Sequence, residues 1–96
     1  MKTKAIKAMA MLLDAGGRRE RIDSVIALAL RILAIDPLQE QVHRTLMRCY
    51  AQQGRRAEAL RQYDLCRMAL WREVRAAPEH ETERLQRDIR QHMFHL

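Results

Sequence analysis

Apolar residues recur at three- and four-residue intervals along most of the chain, the spacing of one face of an α-helix. Ile6, Met9, Ala10 and Leu13 predict a first helix over residues 3–14. Gly16-Gly17 then ends it, because glycine reaches the left-handed backbone that helix C-caps use. A second helix over about residues 19–34 turns Ile22, Val25, Ile26, Ala29, Ile32 and Leu33 inward, with Asp23-Ser24 offering a later start. In Asp36-Pro37-Leu38-Gln39, an N-cap residue, a proline for the first helical position and a glutamine at capping-box spacing announce the third helix. That helix carries Leu38, Val42, Leu46, Cys49 and Tyr50, and stops near Gln53-Gly54. The fourth, residues 56–74, buries Ala59, Leu60, Tyr63, Cys66 and Leu70. Pro78 separates it from a fifth over residues 79–93, with Leu85 and Ile89 inward. No stretch alternates with the period of two that a strand needs, and the short connections predict antiparallel neighbours.

Composition agrees with an all-α chain. Apolar residues make up 48% and charged residues 31% of the 96, too balanced for a disordered tail. Ala, Leu, Arg, Glu and Gln, which lose little rotamer freedom in a helix, dominate over β-branched residues. One domain spanning residues 1–96 is expected, burying about 60–65% of the surface the unfolded chain exposes. Cys49 and Cys66 form no CxxC pair, so reduced, buried thiols of a cytoplasmic protein are expected. Met1-Lys2-Thr3-Lys4 imitates the start of a signal peptide, but Lys7 and Asp14 cut the following apolar stretch short. The longest apolar run, residues 25–35, contains Arg31 and has about half the length of a membrane span, so no membrane is expected as partner.

A repeat lies beneath the helical pattern. Shifting the chain by 34 residues lays Val25 on Ala59, Ala29 on Tyr63 and Ile32 on Cys66. Before the glycine turn a shift of 37 lays Ile6 on His43, Ala10 on Met47, Leu13 on Tyr50 and Gly17 on Gly54. A period near 34 is that of tetratricopeptide helix pairs. Leu46, Tyr50, Gly54, Ala59 and Tyr63 stand at the spacings of that repeat's Leu, Tyr, Gly, Ala and Phe/Tyr positions. His43 takes the slot of its Trp and Met47 that of a small residue. Trp71 stands where the repeat places Pro, so the fourth helix should run past the usual length.

A narrower resemblance covers about residues 28–89. Leu33-Ala34-Ile35-Asp36-Pro37, then His43-Arg44-x-Leu46-Met47-Arg48, Gly54-Arg55-Arg56, Ala59-Leu60-Arg61-Gln62-Tyr63 and Pro78-x-x-Glu81-Thr82 resemble the bacterial transcriptional activator domain. The resemblance implies a short superhelical array of about five tetratricopeptide-like, antiparallel helices, serving regulation or self-association rather than catalysis. In that family the domain usually follows a winged-helix DNA-binding domain. Only about twenty residues precede the second helix here, so no such domain is expected within the chain. The family's Leu-Gly before the last proline reads Val74-Arg75, which should force that turn into another conformation.

The resemblance also implies that Gln41, Arg44, Arg48 and Gln52 line the concave face. Their spacing independently makes one stripe opposite Leu46 and Tyr50. Two guanidiniums one turn apart could grip carboxylates of a protein partner; alternatively they pair with acids such as Glu40 or simply solvate the helix. Arg18-Arg19 and Arg55-Arg56, at two turns, form a candidate basic edge for phosphates, or ordinary surface charge. Leu70, Trp71 and Val74 with Met93 and Phe94 form a candidate apolar patch for a homodimer.

The net charge of +6, with Lys2, Lys4 and Lys7 the lysines among eighteen basic residues, keeps direct nucleic-acid binding as the alternative function. Trp71 and Phe94 are far apart in sequence and both tyrosines occupy core positions, which disfavours recognition by base stacking. His92-x-x-His95 lacks a third ligand nearby, so no metal is expected, and no cofactor either. His43 reads as a packed or capping imidazole. Ser24, the chain's serine, has no histidine near it, and no phosphate-cradling glycine loop is present, so an enzyme is not expected.

Overall fold

A computed structural model describes residues 17–91, which form four α-helices: α1 (Arg18–Ile35), α2 (Glu40–Gln52), α3 (Arg56–Val74) and α4 (His80–Arg90). No strand occurs among the described residues. The helix expected over residues 3–14 lies outside them, as do Met93 and Phe94 and the His92/His95 pair. α2 is the hub, packing against α1, α3 and α4, while α3 also contacts α4 along its length. The core follows from the apolar spacing. Val25 and Ala29 of α1, Val42, Leu46 and Met47 of α2, and Ala59 of α3 are fully enclosed, and Leu85 and Ile89 of α4 close over them. Ala59 lets α3 approach α2 closely, and Tyr63, one turn on, is buried beside it.

Two local expectations change. The third helix begins at Glu40, not Pro37, and its N-cap residue Gln39 makes no side-chain cap. Asp36 instead closes a turn: its carboxylate accepts the Leu38 N–H at 3.3 Å, and its carbonyl accepts that of Gln39 at 3.4 Å. An Asx turn competes with the first helical turn for the same backbone donors, and here it wins. The chain reverses between α2 and α3 on Gly54, whose φ of 74° is left-handed and free of penalty for glycine.

The other change concerns the end of α3. That helix does run past Trp71, for 19 residues. Val74-Arg75 does not force a different turn, however. Arg75 itself takes the left-handed conformation, φ 53° and ψ 42°, with its N–H bonded to the Trp71 carbonyl at 3.1 Å. The Leu70 carbonyl is met as well, by the Ala76 N–H at 3.4 Å, in a left-handed helix C-cap usually made by glycine. A side chain in that well costs about 1–2 kcal/mol, partly offset by about 0.5–1 kcal/mol from the Arg75 guanidinium stacking 5.3 Å from the Trp71 ring. Arg75→Gly is therefore expected to raise the unfolding free energy by about 0.5–1 kcal/mol, read as a higher urea midpoint at unchanged slope.

Candidate functional site

The face that α2 turns away from the core is built around a buried charge. Arg44 is only 5% exposed. Its Nη1 donates to Glu79 Oε1 at 3.0 Å and to the Thr82 hydroxyl at 2.8 Å, and its Nε lies 3.1 Å from Glu81 Oε2. Glu40, one turn earlier on α2, completes the cluster. Its carboxylate accepts the Thr82 hydroxyl proton at 2.6 Å and the Glu79 backbone N–H at 2.5 Å. Glu79 is the N-cap position of α4 and lacks a side-chain cap of its own. Glu40 thus caps α4 from another helix, placing a carboxylate at the positive end of its dipole. At the opposite end of α4, Arg56 donates to the carbonyls of Ile89, at 2.9 Å, and Arg90. Both termini of α4 are held by side chains from α2 and α3.

A second buried polar pair ties α2 to α3. His43 Nε2 lies 2.8 Å from the Pro37 carbonyl, and its Nδ1 is 2.9 Å from the Gln62 amide nitrogen. A carbonyl accepts and an amide nitrogen donates, so these partners require the proton on Nε2 and a neutral ring. Burial pulls the His43 pKa below its ordinary 6.5, against smaller opposing pulls from the Pro37 carbonyl and Glu40. Tyr63 donates its hydroxyl to Glu83, and burial together with that carboxylate pushes its pKa up to about 12. The thiols of Cys49 and Cys66 are free and buried; burial raises them to about 11 and about 12, so both stay protonated.

What remains open on α2 is a narrower stripe than expected. Gln41 is exposed, Gln52 is part-exposed, and the Arg48 side chain is 42% exposed with its Nη2 3.7 Å from Glu81 Oε2. Arg44, expected among them, is turned into the α2–α4 seam and paired with acids of its own chain. Glu81, on the rim beside Arg48, takes its place on the exposed surface.

The family model for the bacterial transcriptional activator domain matches residues 1–90. The chain belongs to that family. No curated protein and no solved structure matches it.

On this transcriptional activator domain the four arginines of the expected basic edge divide. Arg18, Arg19 and Arg55 line one cleft of about 730 Å³ between the start of α1 and the end of α2, together with Gln52, Gln53 and Asp23. Arg56 is not among them, being held at the end of α4. Nor is Arg55 a free cation: Glu58 grips it at 2.7 and 2.6 Å, and it stacks 4.7 Å from the Tyr50 ring. Asp23 accepts the Gln53 amide at 2.7 Å on the same rim, so the cleft mixes both signs of charge.

The expected dimer patch also divides. Leu70 is buried in the domain's own packing, whereas Trp71 and Val74 are more than half exposed. The described end of α4 lies beside Arg56, about 22 Å along α3 from Trp71. Among the described residues no cluster of three potential metal ligands forms, and no helix is long and apolar enough to cross a membrane.

Arg44→Ala leaves the Glu40 carboxylate without its cation and should cost about 3 kcal/mol. Adding Glu40→Gln, which still accepts the Glu79 N–H, should recover part of that loss; chemical denaturation of the two single and the double variants measures the coupling. For His43, the native ring is neutral and its pKa lowered, so the unfolded chain takes up the proton first. Stability contributed by the neutral ring is complete above pH 6.5 and falls as the pH drops below it, by at most about 1.4 kcal/mol per unit. Urea titrations between pH 7.5 and 5.5 should show that slope, and His43→Gln should flatten it.

Proposed function

We propose that this transcriptional activator domain is a non-catalytic, tetratricopeptide-like interaction module that regulates by holding a protein segment against the exposed stripe of α2. The observation that carries the reading is the division of α2 itself. One side is committed to the core and to capping α4, and the other presents Gln41, Arg48 beside Glu81, and Gln52 on the rim of the cleft shared with α1. A rigid helix displaying spaced amides and one half-exposed guanidinium suits an extended peptide, whose carbonyls and carboxylates it can meet in succession. The repeat supports the array reading. Val25 and Ala29 of α1 are buried like Ala59 and Tyr63 of α3, their counterparts 34 residues on. Self-association is less well supported, because of the described residues in the expected patch only Trp71 and Val74 are exposed and Leu70 is buried.

Direct DNA binding is less well supported, because the arginines Arg44, Arg55 and Arg56 are engaged within the chain. The test is a two-hybrid library screen run in parallel with wild type and with the triple variant Gln41→Ala, Arg48→Ala and Gln52→Ala. The triple variant changes only solvent-facing groups and should melt within about 1 °C of wild type. Partners should bind it at least about tenfold more weakly. Equal binding by both proteins, or micromolar duplex-DNA affinity falling steeply with salt, would overturn the reading.

A further inference from the structure

The edge of α3 away from α2 carries a row that neither the core nor the α2 stripe uses. Arg67, Trp71 and Arg75 follow one another at intervals of four, one above the next along about 12 Å of helix, with Val74 beside them. Trp71 is 56% exposed and Val74 52%. Arg75 stacks on the Trp71 ring, and among the described residues neither Arg67 nor Arg75 pairs with a carboxylate, whereas Arg72 alongside has Glu73 at 3.7 Å. Glu73, the acid nearest the row in sequence, is the one paired with Arg72, and Asp64 lies a turn before Arg67. The left-handed backbone of Arg75 adds an independent sign. A glycine would relieve that strain but would remove the cation from beside the tryptophan.

We propose that this edge, Trp71 and Val74 between Arg67 and Arg75, docks an acidic amphipathic segment of a partner protein. The guanidiniums of Arg67 and Arg75, carried on positions about 12 Å apart along the helix axis, can each take a carboxylate through paired, charge-assisted hydrogen bonds. The indole between them offers a large, already half-ordered surface for one apolar side chain of that segment, the arrangement from which interface hot spots are made. A second copy of the chain fits less well, because laying the row on itself sets Arg67 and Arg75 among like charges. Nucleic acid fits less well too: one aromatic ring gives one stacking platform, and phosphates gain nothing from Val74. The proposal rests on the interaction-module reading but places a contact on a different face, so the two can fail separately.

Trp71 is the single tryptophan of the chain, and its emission reports the edge directly. A display library of random peptides about 15 residues long is selected against the whole protein, with Trp71→Ala as the counter-selected protein. Recovered sequences should place Asp or Glu on either side of a Leu, Phe or Ile. As synthetic peptides they should shift the Trp71 emission to the blue and bind Arg67→Glu about tenfold more weakly. Arg75→Gly separates recognition from folding, since it should weaken binding several-fold while making the domain more stable. The proposal is overturned if no peptide is enriched, if the enriched peptides lack acidic residues, or if Arg75→Gly binds as wild type. A blue shift produced by raising the protein concentration alone would assign the edge to a second copy. One produced only by duplex DNA would assign it to nucleic acid, and either result overturns the proposal. Peptides lost in the Gln41/Arg48/Gln52 variant and indifferent to Trp71→Ala would sink it while leaving the α2 stripe intact.

Discussion

The arrangement depends on keeping one guanidinium charged out of water. Arg44 is almost completely enclosed, and a buried cation persists only where acids and hydroxyls surround it closely. Those groups come from both sides of a seam: Glu40 from α2, and Glu79, Glu81 and Thr82 from the start of α4. The pairing is geometrically exclusive. Thr82 gives its proton to Glu40 and its lone pair to Arg44, so a shift of α4 by one residue would break both contacts. Apolar contact through Leu85 and Ile89 supplies attraction between the helices, and the charged cluster supplies their register.

That constraint explains why α4, the shortest of the four helices at 11 residues, is ordered on a helix pair to which it contributes few core residues. An isolated helix of that length is marginal in water. Here its first turn is capped by Glu40 and its last carbonyls by Arg56, so two helices meet the groups that helix ends normally leave to solvent. His43 does similar work on the other side of α2, joining the Pro37 carbonyl to Gln62. The polar residues of α2 therefore divide by direction. Those pointing sideways join the helices, and those pointing outward, Gln41, Arg48 and Gln52, stay at least partly exposed.

Much of this was legible in the chain. Periodic apolar positions located α1, α3 and α4 to within a residue or two at their starts, because burying a stripe is a local requirement written at fixed spacing. The motif string from Leu33 to Thr82 pointed to the family that residues 1–90 match. The start of α2 was misplaced because Asp36 can serve either a helix or a turn, and its neighbours do not say which. At Arg75 the expectation failed for a related reason: a backbone well that usually selects glycine can be occupied by arginine once helix capping and ring stacking offset the strain.

The sequence by itself determined the all-helical class, the order of the described helices, and the identity of most core residues, since each follows from spacing along one segment. Only the tertiary structure decided what the arginines do. Arg44 and Arg48 are one turn apart on the same helix, yet one is enclosed by acids 35 to 37 positions away and the other reaches solvent. Arg55 and Arg56 are adjacent, yet one grips Glu58 beside it and the other caps a helix that begins 24 residues later. A long flexible cation carries no local mark of its partner. Its role depends on which helix ends and carboxylates packing brings within a few ångströms, and that is settled when the helices meet.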